Sequence, residues 1–175
     1  MEEIRELKER MERERPVEWD AFPDIGLYMD QVISYMPRQL IQYGDEEILT
    51  SAMVNNYIKD GMLPRAEGKR YSRTHLASLT AICALKQVLS VKDVSRLCRL
   101  GMEGRESQQV YGSFLRSLSA ALDETAAGLD ENVTEDDLAG LALHLALGSY
   151  ARKLACQRVL DLLQEKQGEG DKQKK

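Results

Sequence analysis

The chain has 175 residues, 43% of them hydrophobic and 30% charged, a balance that fits a soluble globular protein with a core of its own and excludes a disordered one. A formal charge of -5 and a pI near 5.2 exclude a protein that coats nucleic acid through bulk charge. Cys83, Cys98 and Cys156 lie at wide spacing without a C-x-x-C, the N-terminus is too charged for a secretory signal, and the longest apolar run, Leu138 to Leu147, is too short to span a bilayer, so a reduced, cytoplasmic protein without a membrane partner is expected.

Few aromatics and runs rich in Leu, Ala, Glu, Lys and Arg predict a mainly α protein. Met1 to Arg15 alternates acids and bases around Ile4, Leu7 and Met11, which predicts a thin amphipathic helix ending before Pro16. Its apolar stripe is too short to dimerise alone, and a solvated terminus is expected. Pro16 to Pro23 reads as an extended connector pinned by Trp19 and Phe22. Asp24 is placed to cap a helix carrying Ile25, Tyr28, Met29, Val32 and Ile33 until Pro37 breaks it, and a short segment then ends at Gly44.

Thr50 or Ser51 caps the next predicted helix, and the Asp60-Gly61 pair ends it. Val54, Tyr57 and Ile58 face inward, which leaves Ser51, Asn55, Asn56 and Lys59 outward. Two adjacent asparagines in so short a helix cost about 1 kcal/mol together relative to alanine. An amide can read the N6/N7 edge of adenine, and Ser and Lys suit phosphates. The bland alternative has one asparagine bonded within the chain and the other incidental.

A turn follows over residues 64–71, with Gly68 at its bend and Arg65, Lys69 and Arg70 around it, long enough for a two-stranded ribbon. From Thr50 to His75, Lys59, Arg65, Lys69, Arg70 and Arg73 against Asp60 and Glu67 give a local charge of +3, with Asp45, Glu46 and Glu47 just upstream. His75 either touches a phosphate or decorates the first turn of the following helix. Ser72 caps that helix, which carries Leu76, Leu79, Ile82 and Cys83 and runs to Leu89, and Ser90 with Asp93 forms a capping box for another that ends at Gly101. Cys83 and Cys98 read as small core residues.

The run Ser51-Ala52-Met53-Val54-Asn55-Asn56-Tyr57-Ile58-Lys59-Asp60-Gly61-Met62-Leu63-Pro64, followed by Gly68-Lys69-Arg70-Tyr71-Ser72, Leu76, Leu79, Ile82 and Leu89-Ser90-Val91-Lys92-Asp93-Val94, resembles the winged-helix headpiece of MerR-type transcription regulators. Together with Leu27-Tyr28-Met29-Asp30-Gln31-Val32 it more closely resembles an uncharacterised bacterial family, the domain of unknown function 1836. The MerR resemblance implies a winged helix-turn-helix headpiece with a small β-ribbon wing, a recognition helix at 51–59 in the major groove, and a wing at 64–71 on the DNA backbone. On this resemblance Asn55 stands where a DNA-contacting arginine is found, and Lys69 and Tyr71 fall near the wing's arginine and tyrosine. The implied DNA-binding residues are Ser51, Asn55, Asn56, Lys59, Arg65, Lys69, Arg70, Tyr71 and Arg73.

Beyond a break at Gly101 to Gly104, one helix is predicted from Arg105 to about Leu129. A second starts with the capping pair Thr134 and Asp137 and runs to about Gln164. Leu138, Leu141, Leu143, Leu145 and Leu147 cover more than one face, so this last helix is expected to be buried on several sides, either as a core helix against the headpiece or as a dimer interface. Dimerisation through helices after the headpiece is also what the MerR resemblance implies, and it suits half-site recognition.

The expected organisation is an N-terminal helix and connector at 1–23, a DNA-binding headpiece at 24–101, a helical dimerisation or effector region at 102–167 and a disordered tail at 168–175. The expected partners are double-stranded DNA and a second copy of the chain, with any small-molecule effector open. No phosphate loop, nucleophile elbow or metal-ligand spacing is present, and His144 stands alone on its helix, so no enzyme, cofactor or metal is expected. The alternative is a winged-helix protein-interaction module that does not bind DNA.

Overall fold

The computed structural model describes residues 1–44, 47–102 and 104–173. Seven α-helices account for most of these: α1 Glu2–Arg13, α2 Met29–Tyr35, α3 Ser51–Lys59, α4 Arg73–Leu85, α5 Val91–Met102, α6 Ser107–Ala127 and α7 Leu138–Gln173. The mainly helical class is therefore as expected.

Helix α4 is the axis of the fold. Its apolar side chains recur on more than one face, and His75, Leu76, Ala77, Leu79, Thr80, Ile82 and Cys83 are all buried. Thr80 satisfies its hydroxyl by donating to the Leu76 carbonyl at 2.9 Å. Around α4 gather Val32 and Met36 from α2 and the turn after it, Val54 and Tyr57 from α3, Val94 from α5, and Tyr111 and Leu115 from α6. Each such side chain contributes about 1.5–3 kcal/mol relative to exposure. The core thus runs through the expected headpiece into the helix after it.

The connector is held as its aromatics predict. Tyr111 lies 5.2 Å from Phe22 and 6.3 Å from Trp19, ring centre to ring centre, and its hydroxyl donates to the Val17 carbonyl at 2.8 Å. Asp24 starts no helix. Its carboxylate pairs with Arg73, and α2 begins only at Met29, where Gln31 accepts from the Tyr28 N–H at 2.9 Å.

Three other expectations differ from the structure. Helix α1 is no solvated terminus: it packs along α6, with Arg15 paired to Asp123 and Lys8 to Glu131. The β-ribbon wing is absent among the described residues, where the only pairings are isolated bridges between Glu67 and Arg70 and between Leu27 and Tyr71. The reason is competition for backbone groups. Leu27 takes both the N–H and the carbonyl of Tyr71, and the Ser72 N–H goes to His75 at 3.0 Å as α4 begins, so no ladder extends past the turn.

Third, α7 is not buried on several sides. Leu160 is the one buried residue among its described side chains, while Leu143, Leu145, Leu147, Tyr150 and Leu154 are exposed. Its backbone stays helical through Gln173, into the segment expected to be a disordered tail; Lys174 and Lys175 lie outside the described residues. Among the described residues no helix is long and apolar enough to cross a membrane.

Candidate nucleic-acid interface

Helix α3 forms where the local signals place it. The Thr50 hydroxyl accepts from the Met53 N–H at 3.2 Å, and Gly61 closes the helix at φ +72°, a left-handed conformation that suits glycine. Met62 and Leu63 are buried just beyond, and their N–H groups both donate to the Tyr57 carbonyl. Val54 and Tyr57 anchor the inner face, and burial pushes the Tyr57 phenol above its ordinary pKa. At about 100° per residue, Ser51, Asn55, Asn56 and Lys59 share one arc of the helix. All four are exposed.

Among the described residues, neither asparagine side chain makes a hydrogen bond within the chain, and Lys59, Arg65 and Lys69 make no ion pair. Asp45 and Glu46, the acids expected to offset this patch, lie outside the described residues; Glu47 and Asp60 are exposed near the two ends of α3, and Glu67 on the turn.

The basic turn is tight. Glu67 and Arg70 exchange both backbone hydrogen bonds, at 3.1 and 2.9 Å, across Gly68 at φ +54° and Lys69 at φ +65°. Two positive φ values are the signature of a two-residue type I′ hairpin turn, which favours glycine or asparagine. Lysine in the left-handed region costs about 1–2 kcal/mol. Among the described residues Lys69 is the only non-glycine with positive φ. The turn lies beside the start of α3, because Lys69 and Ser51 border one open cleft together with Tyr28, Asp30 and Ala66.

The nine residues expected to bind DNA therefore fall into two groups. Ser51, Asn55, Asn56, Lys59, Arg65 and Lys69 are exposed around α3 and the turn. Arg70 is also exposed, but its guanidinium stacks 4.8 Å over the Tyr28 ring and reaches the Gly26 carbonyl. Gly26 makes this approach possible, since a Cβ there would sit 2.8 Å from that of Arg70.

Tyr71 and Arg73 belong to the fold instead. Tyr71 is buried, edge-on to His75 at 5.4 Å, and desolvation raises its phenol pKa. Arg73 pairs with Asp24 and Asp20 and donates to the Phe22 carbonyl at 3.2 Å. Neither is presented for a phosphate.

His75 is buried and makes no surface contact of the kind weighed for it. Its Nδ1 accepts from the Ser72 N–H, which leaves the proton on Nε2 to donate to the Arg65 carbonyl at 3.4 Å. It thereby ties the base of the turn to α4. The signal was present: His75 stands three residues after Ser72, at the capping-box position usually held by Glu or Gln. Tyr28 and Asp30, which border the cleft, carried no such signal. Among the described residues no group of His, Cys, Asp and Glu could hold a metal ion.

The site is thus an exposed amide face on a short helix, next to a strained basic turn on a mainly helical body. The chain belongs to the family described as domain of unknown function 1836, whose model matches residues 17–114. That span takes in the connector, α2 to α5 and the first part of α6, and stops short of α7. No curated protein and no solved structure matches the chain.

Proposed function

We propose that the protein is a DNA-binding transcriptional regulator whose headpiece is of MerR-like type, with a compact turn where a β-ribbon wing would stand. Helix α3 enters the major groove, where Asn55 and Asn56 read adenine edges and Ser51 and Lys59 hold phosphates. Arg65 and Lys69 flank it and bind the backbone. The observation that carries this reading is that both asparagines are exposed on one arc without partners among the described residues. Lys69 adds to it, because a cation kept where glycine would relax the backbone fits a residue retained for what it contacts.

A second reading, a protein-interaction module without DNA, draws on Asp60 and Glu67, which place acids inside the same surface. Sequencing genomic fragments retained by the purified protein, beside the double substitution Asn55→Ala and Asn56→Ala, separates the two. The regulator reading predicts a defined fragment set that the double variant loses. Equal selection by the variant contradicts the assignment of α3, and recovery of one stoichiometric protein with no DNA favours the second reading.

A further inference from the structure

We propose that two copies of the chain form a reciprocal dimer in which the N-terminal half of α7 from each copy lies in the groove between α4, α5 and α6 of the other. This does not rest on the DNA reading.

The first observation is the helix. At 1.5 Å per residue, the 36 residues of α7 reach about 54 Å. Among the described residues the body holds its second half, where Arg152 pairs with Glu124 at 2.8 Å, Leu160 is buried, and Arg96 donates to the Leu160 carbonyl at 3.0 Å and pairs with Asp161 at 3.1 Å. From Leu138 to Ala151 there is no Asp, Glu, Lys or Arg. Within and just after this stretch Leu143, Leu147, Tyr150 and Leu154 follow the alternating four-three spacing of a packing seam, and they are 56–63% exposed. By helical rotation the seam points away from the side that carries Cys156 and Leu160.

The second observation is the groove. A cavity of about 350 Å³ lies between α4, α5 and α6, bordered by small or apolar residues including Ala77, Ala81, Leu97, Cys98, Val110 and Phe114. None of its bordering residues is on α7. Small side chains on a groove let a helix approach closely and receive large knobs, and Leu143, Leu147, Tyr150 and Leu154 are large. By helical rotation Arg152 and Lys153 stand off the seam, which itself carries no charge, and only Arg105 among the groove's borders is ionised at neutral pH.

Area favours a second copy as the occupant. Treated as a cylinder about 10 Å across, Leu138 to Ala155 has roughly 850 Å² of lateral surface, of which a groove covers about half. A reciprocal exchange covers one helix face and one groove per copy, hence about 800 Å² per partner, the area of a standard stable interface. Two-fold symmetry supplies both halves from one sequence.

The test uses the full chain without DNA, so its failure and that of the DNA reading are separable. Sedimentation equilibrium should give a dimer. Leu143→Glu, Leu147→Glu, Tyr150→Glu and Leu154→Glu together, all at exposed positions, should weaken it about 100-fold or more with helical circular dichroism unchanged. In a mixture of isotopically light and heavy chains, Leu147→Cys treated with a short bis-maleimide should yield a mixed-isotope link to native Cys98. A monomer at every concentration, a dimer that survives the four substitutions, or mixed-isotope links from position 147 that reach only position 147 would each overturn the proposal.

Discussion

Helices α4 and α7 are both rich in apolar residues over much of their length, and both have apolar side chains on more than one face, yet one is the most buried helix of the fold and the other the most exposed. In α4 the cover comes from four neighbours in the same chain, and seven of its 13 residues are buried. In α7 the same kind of pattern finds no cover between Ala142 and Ala155. Apolar periodicity records that a surface is to be covered; it does not record by which chain.

The sharpest contrast is a matched pair of truncations. Leu79→Ala removes a fully buried side chain and should cost about 2–5 kcal/mol, whereas Leu147→Ala, from a residue 57% exposed, should move the stability of the single chain by no more than about 0.5 kcal/mol. Urea unfolding at high dilution measures both. A large loss from Leu147→Ala at that dilution would mean that α7 is covered by its own chain.

What was legible in advance follows the same division. Thr50, Gly61, Ser90 with Asp93, and Thr134 act within one turn of the backbone they cap, so local sequence carried them. Arg73 and Asp24 meet across 49 positions, Tyr71 gives its backbone to Leu27, and α1 finds α6 on the far side of the chain. No spacing rule encodes such partners, which is why two of nine expected DNA contacts became fold contacts and the ribbon became a turn. The exposed arc of α3 was legible because it depends only on helical rotation and on which residues are apolar.

A second prediction concerns the interior around α4. Burial pushes the Cys83 thiol from its ordinary 9.0 up to about 11, against a smaller opposing pull from Lys86. A group whose pKa is raised on folding stabilises fully below its unfolded value and loses that contribution as pH climbs toward the folded one. Burial raises the phenols of Tyr57, Tyr71 and Tyr111 as well, so they act in the same direction. Stability should thus fall by about 2 kcal/mol or more between about pH 8 and about pH 10.5. Cys83→Ala, although weaker at neutral pH, should show a shallower decline in its urea midpoint over that range.

The smallest effect separates stability from recognition on the polar surface. Lys69→Gly should stabilise by about 1 kcal/mol through relief of the left-handed lysine, less whatever glycine adds to unfolded-chain entropy, while weakening DNA binding. Thermal melting and fragment retention on one preparation measure the two. Unchanged retention would remove Lys69 from the interface.

The most direct test of the α3 surface is the salt dependence of binding to a retained duplex, followed by fluorescence anisotropy. Contacts from Lys59, Arg65 and Lys69 to phosphates predict an affinity that falls with rising salt, with a log–log slope of about -2 to -3. An affinity that stays flat from low to moderate salt, or no binding to any genomic duplex, would contradict the account.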